Sequence, residues 1–161
     1  MKDVIKVMMV CHGNICRSPM AEYVLQDMVR RQHIESRFHI ESAATSREEI
    51  GNDVHYGTKR KLAEQGIACP HRRARQVTKA DYDTYDWLLI MDANNRRNLM
   101  RIIGADPEGK VHGLLDFAPR PRDIADPWYT GNFDVTYDDV VEGCEAFLWG
   151  LPGRRLISSC K

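Results

Sequence analysis

Val4-Ile5-Lys6-Val7-Met8-Met9-Val10 runs without a break into Cys11-His12-Gly13-Asn14-Ile15-Cys16-Arg17-Ser18-Pro19. Apart from Lys6, the first seven residues are apolar and rich in β-branched side chains, as a buried strand requires. Pro19 reads as the opening of a helix, where its missing N–H costs nothing. Ala21, Val24, Leu25 and Met28 then fall at i, i+3, i+4 and i+7 and give that helix one apolar face. The first unit is therefore strand, tight loop, helix.

The same alternation continues outward from this unit. A second strand is expected over residues 38–42, and a helix over 53–65 that stops at Gly66. Trp87-Leu88-Leu89-Ile90-Met91 is a near-continuous apolar run, as expected of a central parallel strand. Asp92 follows it, then a helix carrying Leu99, Ile102 and Ile103 and closed by Gly104. A last strand is expected over residues 110–115, a long ordered loop with several prolines over 117–133, and a final helix over 136–149. Tyr137, Val140, Val141, Cys144 and Leu148 form the apolar stripe of that helix, and Gly150 and Pro152 end it. Alternating strands and helices predict an α/β fold: one doubly wound domain over residues 1–152, with a four-stranded parallel sheet flanked by helices on both faces. Residues 153–161 read as a short mobile tail. Folds of this kind bind ligands beyond the carboxyl ends of their strands, and Cys11 stands just past the first of them.

A chain of 161 residues suits one domain with a substantial core. Lys plus Arg equals Asp plus Glu at 23 each, a balance that argues against a dedicated nucleic-acid binder. No stretch approaches the ~18 apolar residues of a membrane span, and residues 1–10 carry no secretory pattern. The cysteines, Cys11, Cys16, Cys69, Cys144 and Cys160, are odd in number and scattered. They read as free thiols in a reducing compartment, so a cytoplasmic location is expected.

The loop itself carries chemistry. Cysteine, five residues and arginine lie between a strand and a helix N-terminus. Gly13 and Asn14 tolerate positive φ, so the loop can curl and turn successive N–H groups inward as an anion nest. The helix adds the positive end of its dipole, and Arg17 can close the ring with two parallel hydrogen bonds to phosphate oxygens. Phosphate-binding residues are therefore expected at His12, Gly13, Asn14, Ile15, Cys16, Arg17 and Ser18. The same field favours a thiolate at Cys11, since helix N-termini and cations lower a thiol's pKa from about 8.5 to roughly 3.5–7.5. A thiolate beneath a bound phosphate is placed for in-line attack. The N–H ring and Arg17 would stabilise the transition state, and Ser18 can donate a hydrogen bond to the sulfur. Most free cysteines are merely small core residues, but the strand before this one and the Gly-Asn, Ser-Pro and amphipathic helix after it favour the catalytic reading. Cys11 and Cys16 would be half a zinc site, with no second Cys or His pair at suitable spacing. The Gly-x4-Gly-Lys-Ser/Thr pattern of a nucleotide loop is absent. No metal and no cofactor are expected.

Ester cleavage also needs a proton for the departing oxygen. The long loop offers Asp123 and Asp126. Asp126 is followed by Pro127, which stiffens the backbone, and by Trp128 and Tyr129, which can flank a flat substrate ring. Asp-Pro on its own is a common turn dipeptide, so its weight comes from the company it keeps.

Cys11-His12-Gly13-Asn14-Ile15-Cys16-Arg17-Ser18-Pro19 and Asp126-Pro127-Trp128-Tyr129, together with Ala74-Arg75-Gln76-Val77-Thr78 and Met91-Asp92, resemble the low-molecular-weight protein tyrosine phosphatase family over residues 4–151. A cysteine loop at the N-terminus with the acid over a hundred residues later is specific to that family. The resemblance implies hydrolysis of aryl phosphate monoesters on phosphotyrosine-containing proteins, with inorganic phosphate as product or inhibitor. It implies Cys11 as nucleophile through a phosphocysteine intermediate, Arg17 as phosphate clamp and Asp126 as general acid and then base. Asn14, Ser18 and Ser42 would hold the loop, and Cys16 would be a redox partner able to form a reversible disulfide with an oxidised Cys11.

Three departures bear on specificity. His12 stands where the family is usually apolar, which makes the rim more polar. Glu48 takes a rim position often held by Trp, so that a rim of His12, Glu48, Trp128 and Tyr129 would favour substrates with basic flanks. The segment Pro70-His71-Arg72-Arg73-Ala74-Arg75 is one residue longer than the family's usual His-to-Arg-Gln stretch, which leaves the family role of His71 unassigned. Two enzymes share the loop as rivals. A thiol-dependent arsenate reductase would need further cysteines near residues 80–90, where there are none. A protein-arginine phosphatase tends to carry Thr at the position of Ile15 and a reduced aromatic pair after Asp-Pro. A non-enzymatic phosphotyrosine-binding module would need neither Cys11 nor Asp126.

Overall fold

In the computed structural model, which describes residues 4–151, the N-terminal apolar run forms β1 (Ile5–Cys11) at the inside of a four-stranded sheet. Its neighbours are β2 (Phe38–Ala44) on one side and β3 (Trp87–Ile90) on the other, with β4 (Val111–Gly113) outside β3. All three pairings are parallel, and Cys11 lies opposite Ala44 in the register of β1 and β2. The chain leaves β1 toward β2, then crosses back to place β3 on the far side of β1. This reversal opens a crevice at the carboxyl ends of β1 and β3.

Both faces of the sheet are covered, which explains why β1 is apolar at consecutive positions rather than alternate ones. Val7 and Met9 pack under α1 (Arg17–Arg31), α2 (Tyr56–Glu64) and α6 (Phe133–Gly150). Met8 and Val10 pack on the opposite face with Tyr82 of α3 (Lys79–Thr84) and with Leu99 and Ile103 of α4 (Ala93–Ile103). Each of Val7, Met8, Met9 and Val10 is fully buried. Complete burial of such a side chain is worth roughly 1.5–3 kcal/mol, so β1 anchors the sheet and with it the position of Cys11.

The element order matches the sequence reading, with informative differences at the edges. α1 begins at Arg17, two residues before Pro19. The fourth strand is only three residues long, because Leu114–Phe117 turns into a 3-10 segment as the Asp116 carboxylate accepts the Gly113 N–H at 2.8 Å. The expected loop contains a short helix, α5 (Pro127–Thr130), and α6 starts early because the Asn132 side chain caps it by accepting the Val135 N–H. The 3-10 turn Glu35–Arg37 and helix α3 were not anticipated. The tail over residues 153–161 lies outside the described residues. No helix among the described residues is long and apolar enough to cross a membrane.

Candidate active site

Between β1 and α1 the chain turns through Asn14, whose φ is +61°, a value that Asn tolerates better than most side chains. Five carbonyls of this loop are held from outside it. Thr45 N–H donates to the Cys11 carbonyl at 2.9 Å, Ser46 N–H to that of His12 at 3.0 Å, and His55 N–H to that of Ile15 at 2.8 Å. Arg72 Nη1 donates to the Asn14 carbonyl at 3.0 Å, and Thr58 Oγ1 to that of Cys16 at 3.0 Å. In a planar trans peptide the N–H points opposite to the carbonyl before it. Five outward carbonyls therefore turn the N–H groups of His12, Gly13, Ile15, Cys16 and Arg17 toward the inside of the loop, at the N-terminus of α1. Inward N–H groups at a helix N-terminus are the arrangement that suits an oxyanion.

Cys11 ends β1 at the floor of the cup, 3% exposed. Three donors converge on its sulfur: Asn14 N–H at 3.3 Å, Ser18 N–H at 3.4 Å and the Ser18 hydroxyl at 3.1 Å. The direction of the hydroxyl contact follows from the groups behind it. Arg72 Nη2 donates to Asn14 Oδ1 at 2.6 Å, and because a guanidinium has no acceptor this fixes which way the amide faces. Asn14 Nδ2 must then donate to Ser18 Oγ at 2.8 Å and to Ser42 Oγ at 2.9 Å. With their oxygens accepting, the hydroxyls send their protons onward: Ser42 to Glu22 Oε1 at 2.5 Å, Ser18 to the sulfur. Burial pushes the Glu22 carboxyl above the ordinary glutamate value, against the pull of the Ser42 hydrogen bond and the Arg72 charge.

The second loop thiol differs sharply. Cys16 accepts no such set of donors; burial, and then the nearby Cys11 and Asp126, push its pKa up to about 12. It is a neutral thiol across the physiological range. Among the described residues four cysteines are free: Cys11, Cys16, Cys69 and Cys144.

Arg17 is 2% exposed and lines the same cavity as Cys11. Its Nη1 donates to Asp92 Oδ2 at 2.7 Å and to the Ile124 carbonyl at 2.9 Å, and its Nη2 lies 3.4 Å from Asp126 Oδ2. Burial would weaken the charged form, but Cys11, Asp92 and Asp126 outweigh it and hold the guanidinium above its ordinary pKa. Asp92 follows β3, and Ile124 N–H bonds the Met91 carbonyl at 2.8 Å, so the strand end ties the acid loop to the arginine. Asp126 caps α5, its Oδ1 accepting the Trp128 N–H at 3.0 Å.

A cavity of about 100 Å³ is lined by Cys11, Arg17 and Asp126 at its base and by His12, Glu48, Trp128 and Tyr129 around its mouth, with Gly13, Ile15, Cys16 and Glu49 completing the wall. Asn14, Ser18 and Ser42 do not line it and sit behind the loop as its support. Trp128 is braced edge-on by the His55 ring at 5.6 Å, and His55 in turn stacks on Phe133 at 5.4 Å and Tyr56 at 4.5 Å. His12 Nε2 meets Glu48 Oε1 at 3.2 Å across the mouth. His71 turns outward to Asp53, its side chain 72% exposed, and it is Arg72 that reaches Asn14. Asp123 lies away from the cavity, its Oδ2 accepting the Ala93 N–H at 3.4 Å.

Sequence reasoning missed Glu22, Arg72, Asp92 and Glu49 as parts of this assembly. Glu22 had a local signal, since it stands one helical turn beyond Ser18 on the same face of α1. Arg72 had none, because its partner lies 58 residues away.

Over residues 6–156 the chain matches the family described as low molecular weight phosphotyrosine protein phosphatase. It is 37% identical over 154 residues to the low molecular weight protein-tyrosine-phosphatase YfkJ of Bacillus subtilis, covering 94% of this chain and 99% of that one. The corresponding phosphatase of Homo sapiens is 40% identical over 147 residues, covering 88% and 92%. The crystal structure of YfkJ superposes with a TM-score of 0.85 over 90% of this chain and 92% of that one. The low molecular weight protein tyrosine phosphatase SP-PTP from Streptococcus pyogenes does so with a TM-score of 0.85 at 36% identity, covering 94% and 96%.

Proposed function

Because the chain belongs to the low molecular weight phosphotyrosine protein phosphatase family, we infer that it hydrolyses phosphotyrosine in proteins through a covalent phosphate on Cys11. The observation that carries this reading is the convergence of three donors on the buried sulfur, at the base of a cavity that also holds Arg17 and Asp126. Donors so placed stabilise the negative charge that the sulfur carries as it leaves phosphorus.

The phosphate enters the cup of inward N–H groups and takes the open side of the Arg17 guanidinium. Asp92 and the Ile124 carbonyl hold the arginine's other edge in place. The Cys11 sulfur attacks phosphorus opposite the tyrosine oxygen; the P–O bond breaks, and Asp126 delivers a proton to the leaving phenolate. Trp128 and Tyr129 flank the ring and orient it. In the second step Asp126 takes a proton from water as the water oxygen bonds to phosphorus. The S–P bond breaks, and the returning thiolate is received by Ser18 and Asn14. The N–H ring and Arg17 stabilise the equatorial oxygens in both steps. Asn14, Ser18, Ser42 and Arg72 maintain the loop, and no cofactor takes part.

Cys16 suits a protective role. Its high pKa owes part of its rise to the charge on Cys11. Attack of Cys11 on a peroxide, which transfers one oxygen to the sulfur and leaves as water or an alcohol, would give a sulfenic acid, remove that charge and ease ionisation of Cys16, which would then attack the oxidised sulfur, displace water and leave a disulfide. Free thiols of this kind belong in a reducing compartment, for which the cytoplasm is the proposed location.

The test is a panel of phosphotyrosine, phosphoserine and phosphoarginine peptides with arsenate reduction in parallel, combined with acid quenching to trap the intermediate. Phosphate release from phosphotyrosine alone, with the trapped phosphate on Cys11, is the expected result. Dominant phosphoarginine or arsenate turnover, or phosphate trapped elsewhere, would overturn the reading.

A further inference from the structure

The mouth of the cleft carries an uneven charge. The cavity over Cys11 joins a second hollow with which it shares His12, Arg17, Asp126 and Tyr129. The first is walled by Glu48 and Glu49; the second is lined by Asp92 and by the amides of Asn94 and Asn98. Among the described residues lining either hollow, the only cationic groups are Arg17 and, when protonated, His12. Arg17 is buried against Asp92 and Asp126 and faces the phosphate position, so it offers nothing to the rest of a substrate.

Glu48 and Glu49 are held at the rim rather than free to swing away. Glu48, with a side chain 69% exposed, gives Oε1 to His12 Nε2. Glu49 gives Oε1 to Asn52 Nδ2 at 2.7 Å, and its Cγ lies 3.2 Å from where a side-chain carbon at Gly13 would be. The bare backbone of Gly13 thus lets Glu49 rest against the phosphate loop. Two adjacent carboxylates stand in the wall of the cavity over Cys11, where on the phosphatase reading the peptide next to a bound phosphotyrosine would pass, and among the described residues lining that cavity Arg17 at its base is the sole lysine or arginine. Arg47 is exposed in the same loop but lines neither hollow.

We propose that the Glu48–Glu49 wall receives a lysine or arginine side chain next to the phosphotyrosine, and that this enzyme selects phosphotyrosines in basic sequence. The proposal rests on the phosphatase reading and names its substrate class. Exposed ion pairs change affinity by up to about fivefold each, so two carboxylates give about a three- to twentyfold preference. The preference appears mainly in KM, because the contacts are made equally in ground and transition states. It also weakens as salt shortens the screening length from about 10 Å at 0.1 M.

The experiment compares three phosphotyrosine peptides, identical except for lysine, alanine or glutamate on either side of the phosphotyrosine, at low and high ionic strength, with kcat/KM read from phosphate release by the full chain. The lysine peptide is expected to exceed the glutamate peptide about tenfold at low salt, with the gap closing at high salt. In the double variant Glu48→Lys with Glu49→Lys the order within the same peptide set reverses. Equal rates for the wild-type protein, a preference for glutamate, or an unchanged order in the double variant would each overturn the proposal. None of those three results touches the phosphatase reading, because each still measures phosphotyrosine turnover. Failure of the wild-type protein to release phosphate from any of the peptides would overturn that reading and the proposal with it.

Discussion

Asn14, behind the floor of the cleft, and Tyr129, at its mouth, stand in opposite circumstances. Asn14 is fully buried, and its side chain makes four hydrogen bonds: to Ser18, Ser42, Arg72 and the Arg75 N–H. Tyr129 is 82% exposed on a four-residue helix. The floor of the site is a closed network in which each donor fixes the next. A change there propagates to the sulfur, because an unsatisfied buried group costs about 1–3 kcal/mol. The mouth is a set of separate contacts, Glu48 on His12 and Trp128 on His55, with Tyr129 beside them. On the proposed mechanism the chemistry therefore belongs to the floor, and discrimination among substrates to the mouth.

If that division holds, the largest loss comes at the centre of the floor. Cys11→Ser is expected to lower turnover of an aryl phosphate by at least about four orders of magnitude, while orthovanadate still binds in the cup. Measurable turnover in the variant would remove the covalent route. Next comes Asp126, which belongs to both regions. Asp126→Asn is expected to slow release of poor leaving groups by about 10²–10⁴, the usual range for a lost general acid, and to spare p-nitrophenol, which departs without a proton. Equal losses across a series of leaving groups would deny Asp126 the acid role.

The same division governs what could be read without coordinates. β1, its loop and α1 were legible because their signals are local: an apolar run, Gly13 and Asn14 at the curl, a proline and a helical stripe within one stretch. The doubly wound sheet followed from four strand-like runs separated by helices. Helix α3 escaped because it is short and mostly polar; its stability comes from the reciprocal cap between Thr78 and Asp81 and from the Arg75–Asp81 ion pair, not from an apolar stripe. Glu22 and Asp92 were visible as residues but not as partners, because hydrogen bonds spanning 20 and 75 residues depend on how β2 and β3 flank β1. The extra residue in the 70–75 segment left the role of His71 unassigned, and nothing local marked a side chain there as a partner of Asn14. The structure assigns the contact to Arg72, whose two nitrogens hold both the carbonyl and the amide oxygen of Asn14.

Arg72 gives a sharper test of the floor because it touches neither substrate nor sulfur. Its two charge-assisted bonds fix the Asn14 amide, which in turn leaves the Ser18 proton for Cys11. Arg72→Ala is expected to lower kcat about tenfold while the inhibition constant for inorganic phosphate changes far less, since Arg17 and the four loop carbonyls held by Thr45, Ser46, His55 and Thr58 remain. A variant that lost phosphate binding and kcat together would show that Arg72 merely maintains the shape of the loop.

The smallest effect is expected at the mouth, from Trp128→Ala. Trp128 is 56% exposed and contributes a ring face to the cavity wall, steadied by the edge contact with His55. Burial lowers the His55 pKa, and its Nδ1 accepts the Gly57 N–H, so the bracing ring is neutral and structural rather than a second charge at the site. Loss of one aromatic contact is worth about 0.5–1.5 kcal/mol, or about two- to tenfold in affinity. KM for a phosphotyrosine peptide should rise by that factor, with kcat held within about twofold, because the ring binds ground and transition states alike. The comparison of the two regions depends on that split. A fall in kcat to match the rise in KM would mean that Trp128 sets the approach of the leaving oxygen to Asp126, whose carboxylate already accepts its N–H, and the boundary between floor and mouth would then have to be drawn outside this residue.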